Sequence, residues 1–406
     1  MDTRTVPAAT TVAVGPTPRA ERAWAPDLAR GAVLLGIALA NVSIYLHGAD
    51  IGAGGRPVGG SVLDRTLDVV VTTFVNDRSR PMFALLFGFG LVTMVGRLTA
   101  RGLAPRERRR VLLRRQLWLV AFGAVHAALL FEGDILGMYG VTGLVVLLLL
   151  HRRPRVLVAW GTASLVVLAL LFGAFDALTE VPRPPTDYLV SVVERVAVWV
   201  VGVLGGTLLM LVLAPMLAGV AMARAGLLDR PWEHLPLLRR LAVGGVVLGV
   251  VGGLPYGLVV GEAWEPGIVT SAVLAGVHAV TGTAMGVAYV SLFALWAAHL
   301  HRTGAPRRGA PAVLAAVGER SLTCYLLQSV VLAPLLAPWG LALGDGLGTA
   351  AAYGTALTVW LVTVGVAWAL ATAGRRGPAE VLLRRLTYGP RSARSGGGRT
   401  AAPLAA

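Results

Sequence analysis

Three ionisable side chains lie within nine residues of one another in the otherwise apolar stretch VHAALLFEGDILGMYG, at Val125–Gly140. They are His126, Glu132 and Asp134. A histidine that donates one ring N–H to a carboxylate is fixed in one tautomer, and its other nitrogen becomes a better base. The spacing therefore predicts a buried His–carboxylate pair that takes a proton from a substrate. We assign catalytic roles to His126 and Asp134, and a substrate-binding role to Glu132.

The same residues also have purely structural interpretations. His126 is compatible with a neutral imidazole bonded to a carbonyl or hydroxyl group of a neighbouring helix. Asp134 is equally compatible with the N-cap of the helix that follows it. Glu132 is more typical of a solvated turn, since short connections between helices often carry acids.

Two further apolar segments contain polar residues that need a partner or a role. His278 lies in LAGVHAVTGTAMG, where Gly282 and Gly286 have the spacing that lets helices approach closely. The segment GERSLTCYLLQS contains Tyr325 and Gln328 at a spacing that shares one helix face. Such side chains either join helices or line a cavity. We include His278, Tyr325 and Gln328 as candidate substrate-binding residues.

The elements that must position these residues are membrane helices. Of the 406 residues, 56% are hydrophobic and 14% are charged, against about 25% charged in an ordinary soluble domain. Apolar runs of ~17–25 residues, the length that crosses a bilayer as a helix, recur along the chain. The sequence predicts an all-α polytopic membrane helix bundle of about ten transmembrane helices, located in the plasma membrane and surrounded by the lipid bilayer.

We divide the chain into four regions. Residues 1–27 are predicted to be a disordered cytoplasmic tail, and residues 28–374 the transmembrane domain, with an amphipathic interfacial segment at 62–78. Residues 375–390 are predicted to be a basic cytoplasmic segment, and residues 391–406 a disordered tail. The predicted membrane helices are, approximately, 31–47, 82–96, 116–131, 135–150, 156–175, 196–223, 241–258, 268–300, 311–336 and 347–373.

Arginine placement gives the orientation. All 36 basic residues are arginine, and the formal charge is +15. With both termini cytoplasmic, the outer segments contain only Arg56, Arg65, Arg78, Arg80, Arg183 and Arg195, and Arg320 falls within a helix. The rest lie inside, including those of RGLAPRERRRVLLRR, as the positive-inside rule requires. The basic charge therefore reflects topology and does not indicate a nucleic-acid partner.

The sequence lacks the cofactor-binding and catalytic motifs that are typical of soluble enzymes. FGFGLVTMVG lacks the dinucleotide-binding spacing and lies within a predicted membrane helix. We find no phosphate-binding loop, zinc-type histidine pair or nucleophile elbow, and the single Cys324 excludes an intramolecular disulfide. We therefore expect no metal and no bound cofactor.

Five ordered blocks of the sequence resemble those of the YeiB-like family, domain of unknown function 418 (DUF418). The blocks are ARGAVLLGIALANV, RSRPMFALLFGFGL, FGAVHAALLFEGDIL, VGERSLTCYLLQS and GPAEVLLRRLTYG. They extend from about residue 27 to residue 390. Cys324 stands where the family usually has asparagine, which weakens a polar role for that position.

This family more distantly resembles transmembrane acyltransferases, which modify sugars with acyl groups from cytoplasmic acyl-coenzyme A. Those enzymes commonly have a histidine eleven residues after the arginine of their first helix, but Asn41 occupies that position here. The resemblance thus leaves His126 as the base, with Asn41 and Arg80 as substrate-binding candidates. If the protein is such an enzyme, we expect acyl-coenzyme A, its co-substrate, to dock from the cytoplasmic side, where Arg30 and the arginine-rich loop RGLAPRERRRVLLRR meet its phosphates.

Two functions follow from these observations. The first is acyl transfer to a hydroxyl or amine of an extracytoplasmic acceptor, such as a sugar, glycolipid or cell-envelope component. The second is transport or export of a small or lipid-linked molecule. AVHA and GVHA, five predicted membrane helices apart and opposite in direction, are compatible with an inverted repeat of a transporter.

Overall fold

The computed structural model describes residues 23–178, 184–208, 211–304 and 308–389. In this part of the chain fourteen α-helices form and no residue belongs to a β-strand. The helices are α1 (Trp24–Asn41), α2 (Val62–Phe74), α3 (Ser79–Ala100), α4 (Pro105–Leu129), α5 (Ile135–Leu149), α6 (Pro154–Leu178), α7 (Tyr188–Leu208), α8 (Leu213–Arg224), α9 (Leu235–Val260), α10 (Ile268–Arg302), α11 (Gly309–Glu319), α12 (Ser321–Leu336), α13 (Thr349–Thr372) and α14 (Pro378–Tyr388).

Seven stretches of the described chain are long and apolar enough to cross a membrane. These are Trp24–Tyr45, Val62–Ala100, Pro154–Ala174, Tyr188–Thr207, Leu235–Val260, Ile268–Arg302 and Thr349–Thr372. Shorter apolar helices, α5, α8, α11 and α12, pack among them. The predicted all-α polytopic bundle is confirmed. The number of ten passes and their orientation stay predictions.

The N-terminal helix starts earlier than the sequence predicts. α1 begins at Trp24 and not near Gly31, so the last residues of the predicted tail are helical. Ala25, Leu28 and Ala29 are fully buried in the core, which explains why the helix extends this far. Residues 1–22 of the predicted N-terminal tail and the whole predicted C-terminal tail, 391–406, lie outside the described residues.

The predicted interfacial segment 62–78 packs one face into the bundle, while Val62, Leu63 and Phe74 stay exposed. α2 descends along α9, where Gly257 and Gly261 lie against Thr73 and Val69. Its Asp68 is 3% exposed, and Arg78, in the turn between α2 and α3, is 0% exposed. Of the charges that predict an interfacial position, Asp64, Arg65 and Asp68, the last pairs with Arg56 inside the bundle at 3.4 Å. α2 and α3 together form one broken helix.

Two predicted helices are likewise divided. The segment predicted at 196–223 consists of α7 and α8, and the segment at 311–336 consists of α11 and α12. Arg320 lies between α11 and α12, 2% exposed, and donates to the carbonyls of Ala316 (2.9 Å) and Arg375 (2.6 Å). These bonds replace part of the helical hydrogen bonding that the break removes.

The basic segment predicted at 375–390 folds as α14. The Glu380 carboxylate accepts from the backbone N–H groups of Leu322 (2.8 Å) and Thr323 (3.1 Å), so that it caps the start of α12. At the other end of α14, Arg114 of α4 donates to the Leu386 carbonyl at 2.8 Å. α14 is thereby fastened across the ends of α4 and α12.

Candidate active site

His126 and Asp134 are brought together by the hairpin of α4 and α5. α4 ends at Leu129 and α5 starts at Ile135, so the two residues face each other across a short turn. A Cβ atom at Gly123 would lie 2.3 Å from Asp134 Oδ2 and 2.5 Å from Gly137 N. The glycine is therefore required for the close approach of the helices, which lets the carboxylate reach the imidazole.

The predicted contact is present. His126 Nδ1 lies 2.8 Å from Asp134 Oδ1, and both side chains are buried. Asp134 Oδ2 also accepts from the Gly137 N–H at 2.9 Å, which makes Asp134 the N-cap of α5. Pairing and capping are thus performed by different oxygens of one carboxylate, and the two interpretations of Asp134 are compatible.

Two further side chains donate to the same carboxylate. Trp199 Nε1 lies 3.3 Å from Asp134 Oδ2, and the Tyr325 hydroxyl lies 3.5 Å from Oδ1. Since every neighbour of the carboxylate is a donor, the proton of the His126–Asp134 bond belongs on Nδ1 of the imidazole. Nε2 then carries the lone pair.

His126 Nε2 is buried and has no hydrogen-bond partner among the described residues. The imidazole packs against the rings of Tyr325 (centroids 5.1 Å apart) and Phe131 (6.1 Å). A buried polar atom without a partner is costly in a folded protein. The geometry thus leaves one basic nitrogen available to a substrate.

His278 also has an acidic neighbour, but its surroundings differ. Its Nε2 lies 3.6 Å from Asp77 Oδ2, and Arg78 Nη1 lies 2.9 Å from both ring nitrogens. Arg78 also donates to the carbonyls of Asn76 (3.0 Å) and Gly249 (3.2 Å). Because arginine only donates, the imidazole lone pair is engaged. This cluster closes the break between α2 and α3.

A cavity of about 720 Å³ opens among helix ends predicted to be cytoplasmic. Its α3 lining extends from Phe83 to Arg101, which at ~1.5 Å per residue is about 27 Å. The charged lining residues are mostly basic: Arg30, Arg97, Arg101, Arg115, Arg320, Arg375, Arg376 and Arg384, with Asp27, Asp229, Glu319 and Glu380. The inner lining is apolar and aromatic: Phe83, Phe87, Leu119, Leu136, Tyr139 and Tyr325.

Each of two tyrosines joins this cavity to one of the histidine clusters. Tyr325 lines the cavity and contacts Asp134 and the His126 ring. Tyr139 lines the cavity and donates to the Arg80 carbonyl at 2.7 Å. Arg80 in turn forms a close ion pair with Asp77. The cavity thus reaches the neighbourhood of both pairs.

Among the arginines that line the cavity, Arg115 has the geometry best suited to binding an anion. Its Nη1 is buried and lacks a hydrogen-bond partner in the described part of the chain, while its guanidinium lies 5.1 Å from the Phe87 ring centroid. An arginine in such a position binds phosphate or carboxylate oxygens well. In the sequence, Arg115 is hidden in an arginine-rich stretch that topology already explains.

The other predicted site residues divide into two groups. Arg30 lines the cavity, pairs with Asp27 (3.4 Å) and donates to the Leu86 carbonyl (3.3 Å). Gln328 is buried and donates to the Leu34 carbonyl of α1 at 3.2 Å, so it joins two helices. The structure therefore brings Arg30 to the cavity but gives Gln328 an interhelical bond.

Asn41 and Glu132 lie nearer the predicted outer surface. Asn41 is the last residue of α1, and none of the described polar contacts links it to the His126–Asp134 pair. Glu132 is half-buried in the turn between α4 and α5, so it is not the solvated residue that the sequence favours. Burial raises the pKa of Glu132, and nearby Arg195 partly opposes that rise.

Sequence reasoning misses two contributors to the site, Trp199 and Arg78, and it includes Arg115 only as one member of the arginine-rich loop. Trp199 is 65 residues from Asp134 along the chain, and Arg78 is 200 residues from His278. Single-sequence periodicity carries no signal for such contacts. A usable hint existed only for Arg78, a charge inside an apolar pattern.

Comparisons with known proteins agree with the resemblance of the five blocks. Residues 222–390 match the family described as "Protein of unknown function (DUF418)". The chain is 25% identical to the uncharacterized protein YxaH of Bacillus subtilis (strain 168) over 92% of this chain and 96% of that protein. It is 28% identical to the uncharacterized protein YeiB of Escherichia coli (strain K12) over 90% and 96%. No solved structure matches. The C-terminal part of the chain thus matches the DUF418 family model, and the chain over most of its length is similar to YxaH and YeiB, in agreement with the resemblance of its sequence blocks.

Proposed function

We propose that this protein is a plasma-membrane acyltransferase that moves an acyl group from cytoplasmic acyl-coenzyme A to an extracytoplasmic hydroxyl or amine. One observation carries the proposal. The arginine-lined cavity ends at Tyr325, whose hydroxyl lies 3.5 Å from the carboxylate of the buried His126–Asp134 pair. An anion-binding entrance and a general base therefore lie at opposite ends of one path.

The cavity suits a long donor with charged and uncharged ends. Coenzyme A carries phosphates at one end and a thioester at the other, joined by an extended arm. Arg115, with its unpartnered Nη1, and Arg384 at the rim fit the phosphates, whereas Phe83 and Leu136 offer apolar surface for the arm. The ~27 Å of lining along α3 gives such an arm room to extend.

The proposed reaction uses His126 as general base. Nε2 takes the proton from the acceptor hydroxyl while its oxygen attacks the thioester carbonyl. The C–S bond then breaks, and the leaving coenzyme A thiolate receives the proton from His126, so that an ester and free thiol result. Asp134 holds the Nδ1–H throughout and stabilises the imidazolium. General-base catalysis of this kind contributes about 10²–10⁴-fold.

The distant acyltransferase resemblance supports this function only in part. The position of the histidine in the first helix is occupied by Asn41 here. In the proposal that role passes to His126, which approaches from α4.

Thiol release by purified protein tests the proposal. A panel of acyl-coenzyme A thioesters is incubated with the wild type, His126→Gln and the matched control His299→Gln, whose histidine is exposed at the far end of α10. We expect the wild type and His299→Gln to release the thiol, and we expect His126→Gln to lose this activity. Release from no thioester, or equal release by all three proteins, would contradict the proposal.

Transport is the second candidate, because one observation favours it. The broken helix of α2 and α3 places buried Arg78 and His278, with half-buried Asp77, at a break inside the bundle. Discontinuous helices form the binding sites of many transporters. Accumulation of an unmodified acceptor on one side of sealed vesicles, without thiol release, would favour transport.

A further inference from the structure

The outer end of α4 carries a cluster of aromatic and charged side chains that the donor cavity does not include. Tyr188 of α7 and Trp339, after α12, pack with ring centroids 5.0 Å apart. The Arg195 guanidinium lies 5.3 Å from the Tyr188 ring and 5.1 Å from the Trp339 ring. Glu132 interacts electrostatically with Arg195. We call these four residues the outer aromatic site.

This site is built directly on the last turn of α4, just beyond His126. The Tyr188 hydroxyl donates to the Leu129 carbonyl at 3.2 Å, and Arg195 Nη2 donates to the Ala128 carbonyl at 3.0 Å. Leu129 is three residues after His126, or about 4.5 Å along the helix axis. One turn further along α7, Trp199 donates to Asp134. α7 thus connects the outer aromatic site to the proposed base.

A polar atom in the site lacks a partner. Arg195 is 5% exposed, and its Nε makes no hydrogen bond to any described residue. Meanwhile Tyr188 is 37% exposed and Trp339 is half-buried, so the aromatic faces are accessible. Accessible aromatic faces beside a few fixed polar groups are typical of small-molecule sites.

The charges of the site restrict the class of ligand that it can bind. A cationic headgroup on these rings would be repelled by the positive charge of the Arg195 guanidinium, which lies 5.3 and 5.1 Å from the two ring centroids. An anionic headgroup would meet Glu132, whose carboxylate lies near Arg195. A neutral ring with hydroxyls at its edge and C–H groups on its face fits both: the face stacks on Trp339 and the hydroxyls bond to Arg195 and Glu132.

We propose that the outer aromatic site binds the acceptor, and that the acceptor is a neutral saccharide. The role of the sugar as an acceptor rests on the proposed function. Its binding at the outer aromatic site can be measured whether or not acyl transfer occurs. A sugar stacked on Trp339 presents a hydroxyl toward His126 Nε2, which is also buried and without a partner among the described residues.

Equilibrium binding without donor tests the site, because no turnover occurs. Radiolabelled methyl glucoside and methyl N-acetylglucosaminide are titrated against the wild type, Trp339→Ala, Arg195→Gln and the matched control Trp264→Ala, an exposed tryptophan between α9 and α10. We expect binding by the wild type and the control, and affinity about tenfold lower in the two site variants, equivalent to ~1.4 kcal/mol.

Two outcomes would overturn the inference. One is equal loss or equal retention of binding in Trp339→Ala and Trp264→Ala. The other is tighter binding of glycerophosphocholine or ethanolamine than of either glycoside, which would indicate a lipid headgroup. Thermal melting of each variant in detergent shows whether it is folded, and Trp339→Phe should retain most of the affinity. Thiol release is measured separately, so that a failure of acyl transfer leaves saccharide binding visible.

Discussion

The two buried histidines of this protein, His126 and His278, have the same kind of acidic neighbour but opposite environments. His126 donates to Asp134 at 2.8 Å, and its Nε2 is left without a partner among the described residues. His278 lies 3.6 Å from Asp77, while Arg78 stands 2.9 Å from both of its ring nitrogens. The difference lies in what engages the second nitrogen.

That difference separates a base from a structural residue. A neutral imidazole accepts a proton only through a free lone pair. Next to a guanidinium, the lone pair of His278 is engaged, and a second positive charge on the ring would be repelled. His126 has no such neighbour and lies against Tyr325, which lines the cavity. We therefore expect chemistry at His126 and mainly stability at His278.

The largest expected effect is on thiol release in a double-mutant cycle at the first pair. His126→Gln should lower release about 10²–10⁴-fold. Because Asp134 acts through the imidazole, Asp134→Asn in the same protein should add little. Fully additive losses would mean that the two residues act independently, and the first pair would then lose its distinction from the second.

A smaller effect is expected at the entrance of the cavity. Arg115→Gln removes the arginine with an unpartnered Nη1, so the KM for acyl-coenzyme A should rise about tenfold with little change in kcat. Arg110→Gln is the matched control, since Arg110 is exposed on the same helix and does not line the cavity. Equal KM values for both variants would show that the cavity is not the donor site.

The smallest effect on thiol release is expected at the second pair. His278→Gln should leave the activity of folded protein within about threefold of the wild type, while removal of a buried partner of Arg78 costs ~1.5–3 kcal/mol of stability. Thermal melting in detergent, with activity normalised to folded protein, measures both quantities. A loss at His278→Gln as large as that at His126→Gln would contradict the assignment of roles.

The features that sequence analysis predicts correctly are local ones. His126 and Asp134 are eight residues apart on one hairpin, so their contact depends only on the turn between α4 and α5. The spacing of Gly282 and Gly286 predicts close helix packing. In the structure, a Cβ at Gly282 would lie 2.1 Å from the Asp77 carbonyl oxygen. The lengths of the apolar runs likewise predict the all-α bundle correctly.

The missed features depend on contacts between distant segments. Segment 62–78 has an interfacial pattern in the sequence because Asp64, Arg65 and Asp68 interrupt its apolar run. In the structure, Arg56 pairs with Asp68 at 3.4 Å and His278 contacts Arg78 inside the bundle. The arginine-lined cavity combines α1, α3, α4, α12 and α14, whose arginines are explained in sequence by topology alone. Their function becomes visible only when the helices are assembled.

The most direct test of the central claim uses sidedness. Sealed right-side-out vesicles containing the protein are supplied with an impermeant sugar acceptor outside and acyl-coenzyme A either inside or outside. The arginines of the cavity lie mostly on helix ends predicted to be cytoplasmic, whereas the turn beyond His126 is predicted to face outside. The acceptor should therefore be acylated only when the donor is inside. Acylation that requires both substrates on the cytoplasmic side would contradict transfer across the membrane through His126.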